Sequence, residues 1–240
     1  MESVANENLR PNAPSGLSNS RLLRSKIRLF DGALCVEADR FWGHPEFPAV
    51  YRTYLRHSYS IVRATVPLMR AAIESLKKPK FSGDIFTPPL IRYLEQHAEE
   101  ETGHDEWILD DAEAIGMARD EVRDWRPGQN SSHIVGAQYY WIHHYHPISL
   151  LGYIAVMEGN PASTEFFEDV ARRNNLPNAA ISSFLYHSKI DPTHRDDLDR
   201  LLDSLPLGPN ETELIGLSAL RTVQYVTTTL REVNESCQGS

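Results

Sequence analysis

The sequence contains very little cysteine. Cys35 and Cys237 are the only two cysteines in 240 residues, and they lie near opposite ends of the chain. Neither has a second cysteine or a histidine at the spacing of a metal site, which excludes a thiolate zinc site. Two isolated cysteines also provide no disulfide framework, so we expect free thiols in a reducing cytoplasm.

The sequence also lacks long apolar runs and any excess of basic residues. No stretch approaches the length of a membrane span, and the N-terminal region has neither the basic nor the apolar part of a signal peptide. The formal net charge is −9 and the isoelectric point about 5.6, which favours neither nucleic acid nor an anionic membrane as a partner. We therefore predict a cytoplasmic protein whose partners are small molecules or proteins.

A third absence is the alternation of apolar and polar residues that marks β-strands. Apolar residues recur instead every three or four positions, which predicts an all-α protein. The predicted helices span residues 20–41, 49–77, 87–116, 133–159, 162–174, 178–190, 193–205 and 211–235. Short connections favour a single-domain bundle of seven or eight helices over residues 20–235. We expect residues 1–19 to form a flexible polar leader and residues 236–240 a disordered tail.

The third predicted helix carries polar residues where its buried face should be apolar. Between Leu94 and Ile108, that face is occupied by His97, Glu101 and His104. Burying a carboxylate without a partner is costly, and the cost is removed when the group ligates a metal or pairs with a charge. A glutamate and a histidine three residues apart on a helix point the same way, as in the di-iron sites of helix bundles. On this helix alone, a buried hydrogen bond between histidine and glutamate is the alternative.

Two more predicted helices interrupt their apolar faces in the same manner. Glu158 ends the apolar run LLGYIAVMEGN, and His187, Asp191 and His194 share one face of SSFLYHSKIDPTHRDDLDRLLDSL. Simpler interpretations exist, because Glu158 could be a surface residue at a helix end and Asp191 before Pro192 could cap the next helix. A cap at Asp191 explains neither histidine beside it. The predicted metal ligands are Glu101, His104, Glu158, His187, Asp191 and His194.

The predicted ligand set limits the choice of metal. Three imidazoles and three carboxylates without a thiolate suit iron or manganese better than structural zinc. Six protein ligands are too many for one catalytic ion that must keep open positions, whereas two ions sharing them leave room for O2 and a substrate. Two Fe(II) ions bring four positive charges against the three negative charges of the carboxylates, so the buried charge nearly cancels.

At these residues the sequence resembles the haem-oxygenase-like di-iron oxidases and oxygenases, whose fold is shared with TenA and PqqC proteins. The resemblance covers roughly residues 30–230 and lies in ETGH followed by WILDDAEAIG, in YIAVMEG and in HSKIDPTH. It implies a haem-oxygenase-like fold, in which a homodimer is common, and two Fe(II) ions held by the six residues above. Many members have a glutamate seven residues before the first histidine of this set, where the chain has His97. His97 would then be an additional ligand or a hydrogen-bonding neighbour of one.

The resemblance also implies O2-dependent oxidation of a small molecule in specialised metabolism. The expected substrate is an amino acid or an amine-like metabolite, transformed by N-oxygenation, oxidative C–C cleavage or rearrangement, for example to a nitrile. No acid–base residue is assigned outside the metal ligands. For the substrate pocket, two aromatic stretches are candidates, one around Tyr54 and His57 and the other around Tyr139, Tyr140 and His143.

Three alternatives remain open for the function. The first is a fatty-acid oxidative decarboxylase of the same family, and the second is a metal-free enzyme of cofactor metabolism like TenA or PqqC. TenA proteins use a cysteine nucleophile, for which neither cysteine of this chain is well placed. The third is a non-enzymatic helical interaction protein, which requires the polar residues to lie on the surface.

Overall fold

The computed structural model describes residues 16–159 and 162–237, and within these ranges the chain is helical and contains no strand. Its α-helices are α1 (Asn19–Phe30), α2 (Gly32–Trp42), α3 (Phe47–Val62), α4 (Thr65–Leu76), α5 (Thr87–Glu100), α6 (His104–Ala114), α7 (Arg119–Arg123), α8 (Gln129–His144), α9 (Leu150–Met157), α10 (Thr164–Arg173), α11 (Ser182–Ser204) and α12 (Pro209–Glu235). The all-α prediction is confirmed. Residues 1–15 of the predicted leader and 238–240 of the predicted tail lie outside the described residues. No helix in the described ranges is both long and apolar enough to cross a membrane.

The bundle contains more and shorter helices than the apolar spacing predicts. The predicted helix over residues 20–41 is divided at Asp31, the one over 49–77 at residues 63–64, and the one over 87–116 at residues 101–103. Across each break the apolar residues continue at the same spacing of three or four positions, so this periodicity alone does not reveal the break. The opposite error occurs at Pro192, where the predicted helices 178–190 and 193–205 belong to one helix, α11.

Two apolar clusters form the core, and the polar residues of interest lie between them. One cluster includes Leu94 of α5 and Ile154 of α9, and the other includes Ile108 of α6. Helix α11 connects the two, since Phe184 packs against the second cluster and Leu198 belongs to the first. The segment of α11 between these two residues therefore crosses the interior of the bundle.

Helix α12 lies against α1, α2, α8 and α9. It packs tightly against α9 at Gly152, where an added Cβ would stand 2.1 Å from the carbonyl oxygen of Ile215. Only glycine permits this contact, because the two backbones leave no room for a side chain. The contact brings the end of α9, and with it Glu158, close to the middle of the bundle.

Asp111 of α6 fixes the start of α11. Its carboxylate is fully buried and accepts hydrogen bonds from the backbone N–H and hydroxyl groups of both Ser182 and Ser183. These are the first two residues of α11, whose N–H groups have no partner within the helix. Asp111 thereby sets α6 and α11 against each other, and both helices carry predicted metal ligands.

Candidate metal centre

Four polar side chains from three helices meet in the interior of the bundle. Histidine or carboxylate atoms of His97, Glu101, Glu158 and His194 all lie within 4.8 Å of one another. His97 Nε2 is 2.9 Å from Glu158 Oε1, and the rings of His97 and His194 are perpendicular with centroids 4.8 Å apart. The structure thus places His97 inside the cluster, together with three of the predicted ligands.

Three buried atoms of this cluster have no hydrogen-bond partner among the described residues: Glu101 Oε1, Glu158 Oε2 and His194 Nδ1. His194 Nδ1 lies 3.7 Å from Glu101 Oε1 and 3.6 Å from Glu158 Oε2. Ligand atoms held about 2.1 Å from one ion lie about 3 to 4 Å from each other. A buried polar atom without a partner costs free energy, and a cation bound to these three would remove that cost. The residues therefore fit a divalent metal ion.

The remaining predicted ligands extend the cluster on the other side of Glu101. His104 Nδ1 lies 3.1 Å from Glu101 Oε2, and the His104 and His187 rings are perpendicular with centroids 4.9 Å apart. His187 Nδ1 lies 3.0 Å from Asp191 Oδ1. One oxygen of Glu101 thus faces His194 and the other faces His104, which is the arrangement of a carboxylate between two neighbouring sites.

The local backbone explains how Glu101 and His104 come together. Glu101 is the C-cap of α5, His104 is the first residue of α6, and Gly103 between them has φ +94°. The prediction that both residues point from one continuous helix is wrong, because the left-handed turn at Gly103 separates two helices. The turn still leaves the two side chains in contact, so they are neighbours for a different physical reason.

On α11, the three predicted ligands do share one helical face. The helix runs unbroken through Pro192, which removes one backbone hydrogen bond without ending the helix. Asp191 is therefore an interior helical residue, and its alternative interpretation as an N-cap is wrong. Residues four before and three after Asp191 lie on its face of the helix, which directs His187 and His194 into the same region.

Burial decides against an interaction protein that carries these groups on its surface. The exposed fraction is 2% for His97 and His104, 7% for Glu101, 9% for Asp191 and 6% for His194. Surface placement of these five residues is excluded, and His187 is half-buried, with a side chain 27% exposed. The alternative placement of Glu158 on the surface is excluded too, since its side chain is only 11% exposed and contacts His97.

Sequence reasoning missed Glu100, the last residue of α5. Its Oε2 lies 3.6 Å from His97 Nδ1 and 3.5 Å from His194 Nε2. Glu100 thus approaches each imidazole at the nitrogen that faces away from the cluster. A carboxylate in this position favours a proton on the outer nitrogen and leaves the inner one as a donor for a metal. The signal for Glu100 in the sequence is its position directly before Glu101 in a run of acidic residues.

The protonation of the centre follows from burial opposed by close opposite charges. Burial would lower the pKa of His97, but the hydrogen bond and charge of Glu158 raise it above the ordinary value. Burial would likewise raise the pKa of Glu101, but the contact with His104 lowers it. For Glu158 burial prevails over the bond to His97, and its pKa is raised. A metal ion bound by these groups would displace the protons that they carry.

A cavity of about 220 Å³ adjoins the centre at His187 and Asp191. Its other walls come from α3, α6, α8, α11, α12 and the end of α9, and they are mostly apolar. The described lining residues are Tyr54, His57, Ser58, Ile61, Val62, Ile108, Ile134, Met157, Ser183, Phe184, His187, Asp191, Val226, Thr229 and Leu230. Of the two predicted aromatic stretches, the one around Tyr54 and His57 contributes to this cavity and the one around Tyr139 does not.

The comparison with known families agrees with this geometry. Residues 52–226 match the model of a family described as iron-containing redox enzymes, a range that includes every predicted ligand and most of the chain. The chain belongs to this family. No protein of curated function matches the sequence at a significant level.

Solved structures of similar shape show the fold of this iron-containing redox enzyme. A domain of unknown function with a heme oxygenase-like fold from Shewanella denitrificans has a TM-score of 0.77 and 19% identity, over 93% of this chain and 95% of that one. A TenA homologue from Pseudomonas syringae pv. tomato has a TM-score of 0.71 and 11% identity, over 92% and 98% of the chains. A TenA homologue from P. horikoshii has a TM-score of 0.61 and 15% identity, over 90% and 98%. The predicted haem-oxygenase-like fold is confirmed.

Proposed function

We propose that this iron-containing redox enzyme is a non-haem di-iron oxidase or oxygenase that uses O2 to oxidise a small molecule. The observation that carries the proposal is the pair of buried glutamates, Glu101 and Glu158, each with an oxygen that lacks a hydrogen-bond partner among the described residues. Both oxygens face His194 Nδ1. Hydrogen bonds inside the protein do not account for this arrangement, whereas a bound cation does.

The seven side chains would hold two metal ions as two overlapping groups. One group is His97, Glu101, Glu158 and His194, and the other is Glu101, His104, His187 and Asp191. Glu101 belongs to both because its two oxygens face opposite sides. We assign the six predicted residues as ligands and His97 as either a seventh or the hydrogen-bond partner that orients Glu158. Bound Fe(II) would supply the electrons for O2 activation, which no side chain here supplies.

The protein contributes ligation, orientation and a mostly apolar pocket beside the ligands. Glu100 orients the imidazoles of His97 and His194 from outside. Asp111 holds α11 against α6, so that His187 stays beside His104. The mostly apolar walls of the adjoining cavity offer few hydrogen bonds to water in the region next to His187 and Asp191. A substrate in this cavity would lie directly beside the proposed metal ligands.

The lining of the cavity bears on the expected substrates. None of the described lining residues is an arginine or a lysine, so the cavity wall offers no cation to the carboxylate of a free amino acid or a fatty acid. Among the substrates that the family resemblance implies, this favours the amine-like class. A metal-free reaction of the TenA kind finds no nucleophile here either, because Cys35 is exposed on α2 and neither cysteine lines this cavity.

The test is an anaerobic Fe(II) titration followed by exposure to O2 while the visible spectrum is recorded. We expect about two Fe(II) per chain and an absorption that appears with O2. His187→Ala and Glu158→Ala should each lower the iron content and remove the absorption. His144→Ala, at an exposed histidine of α8, is the control and should match the wild type. Equal iron uptake by all four proteins would contradict the proposed ligands, and no uptake by any would contradict the proposed function.

A further inference from the structure

Besides Tyr54, Ser58 and Ser183, the cavity next to the proposed metal ligands contains two buried polar groups that the metal centre does not use. They are the imidazole of His57 on α3 and the hydroxyl of Thr229 on α12. Both residues are buried, with exposed fractions of 5% each. A cavity whose walls are otherwise largely apolar binds its ligand through such isolated polar groups, because they fix the ligand's orientation.

The hydroxyl of Thr229 is unpaired. Its Oγ1 is buried and has no hydrogen-bond partner among the described residues. Thr222 and Thr227 on the same helix behave differently, since each donates its hydroxyl to the carbonyl oxygen four residues earlier. A buried hydroxyl without a partner costs free energy. Since Thr229 lines the cavity, a turn of its side chain would present the hydroxyl to a ligand, and a hydrogen bond to that ligand would remove this cost.

His57 is held in one orientation. Its Nδ1 lies 2.6 Å from the hydroxyl oxygen of the buried Ser131, and its ring packs edge-on against Trp125 with centroids 4.7 Å apart. The bond to Ser131 occupies one ring nitrogen and leaves Nε2 for a ligand in the cavity. Burial lowers the pKa of His57 to about 4, so the imidazole is uncharged at neutral pH. It therefore offers a hydrogen bond and no positive charge.

The charge of the cavity excludes an anionic ligand from this end. The described lining contains one carboxylate, Asp191, and no arginine or lysine. A carboxylate placed among these walls would lose its hydration without gaining a cation. An uncharged group loses less hydration and can accept a hydrogen bond from Thr229 or bond to His57.

We propose that the substrate of the oxidase presents a small, mainly apolar end with one uncharged hydrogen-bonding group to Thr229 Oγ1 and His57, while any amino group lies at the metal ligands. The inference that the bound molecule is a substrate rests on the proposed function, but the binding site itself does not depend on iron. A dry apolar cavity of about 150 Å³ holds benzene, so a cavity of about 220 Å³ has room for a substituted ring. Benzyl alcohol and benzoate are suitable probes, since they differ mainly in the charge of the polar group.

The experiment is an NMR titration of the full-length chain in the presence of a chelator. The indole N–H of Trp125, which contacts His57, reports on the cavity, and that of Trp141 serves as a remote reference. Benzyl alcohol should shift the Trp125 signal and leave the Trp141 signal in place. Benzoate should bind at least about ten-fold more weakly, because its charge is not compensated.

Two threonine variants locate the binding. Thr229→Val removes the hydroxyl at nearly constant shape and should weaken benzyl alcohol about five-fold, the value of one hydrogen bond. Thr227→Val changes the same helix outside the cavity and should leave the affinity unchanged. Circular dichroism checks that both variants fold.

Three results would overturn the proposal: no shift at Trp125, benzoate binding as tightly as benzyl alcohol, or equal effects of the two valine variants. Because the chelator removes iron, these results are independent of the Fe(II) titration. Probe binding without iron uptake would leave the cavity site standing and refute the oxidase, and the reverse would refute the cavity site alone.

Discussion

Removing the carboxylate of Asp111 should destabilise the fold strongly, since it connects two of the helices that carry the predicted metal ligands. In Asp111→Ala, the N–H and the hydroxyl of the buried Ser183 lose their acceptor. An unsatisfied buried donor costs about 1 to 3 kcal/mol, so two of them cost about 4 kcal/mol. Ser182 is exposed and can form hydrogen bonds to water instead, so the loss of its bonds to Asp111 adds no further cost to this sum. For a chain of this size, about 4 kcal/mol lowers the melting temperature by about 10 °C.

The neighbouring residue provides a matched control. Asp110 is exposed and pairs with Arg119 on the surface, and such pairs contribute about 1 kcal/mol or less. Urea unfolding of wild type, Asp111→Ala and Asp110→Ala would measure both free energies. If Asp111→Ala lost no more stability than Asp110→Ala, the reasoning that Asp111 holds α6 to α11 would be refuted.

Further variants test other parts of the structure. Gly152→Ala places a Cβ 2.1 Å from the backbone of Ile215 and should cost at least about 3 kcal/mol of unfolding free energy, whereas Gly136→Ala, in open space within α8, should stabilise by about 0.5 to 1 kcal/mol. Gly103→Ala should cost about 1 to 2 kcal/mol because φ is +94° there, and the displaced turn should weaken Fe(II) binding in the same titration that leaves Gly136→Ala unaffected. The pKa of His57 is about 4 in the folded protein and about 6.5 in the unfolded chain. At a pH between these two values, the unfolded chain therefore binds a proton at His57 that the folded protein does not. Stability should therefore fall by up to about 3 kcal/mol as the pH drops from about 6.5 to 4. His57→Leu should remove this slope in urea titrations at several pH values, and a slope unchanged from wild type would show that another group is responsible.

The sequence was sufficient to predict the helical fold class and the side chains that meet in the interior. A buried stripe interrupted by a carboxylate is informative because burial of an unpaired charge is costly wherever it occurs. His187, Asp191 and His194 were identified in this way, and the structure places them on one face of α11. Their role as metal ligands stays a prediction, which the Fe(II) titration tests.

Other features could not be predicted because they depend on contacts between distant segments. The breaks at Asp31 and Gly103 keep the apolar spacing intact, so the spacing predicts one continuous helix across each break. Glu100 belongs to a run of acidic residues, and only the fold, which brings the end of α5 near His194 of α11, shows that Glu100 reaches that histidine. The bond from Ser183 to Asp111 joins residues 72 positions apart, and no local pattern indicates such a pairing.

The ends of the helices around Glu101 and Glu158 have a consequence for the electric field at the centre. Both residues are C-caps, of α5 and α9, and the C-terminus of a helix carries about half a negative charge from its aligned peptide dipoles. Helix α6 begins there at His104 with its positive end. This positive end offsets about one of the two negative helix ends. The backbone itself therefore makes the location attractive to cations before any side chain is counted. The metal-free protein should accordingly be strained by repulsion at this point, and a divalent ion should stabilise it even in the absence of O2 or substrate.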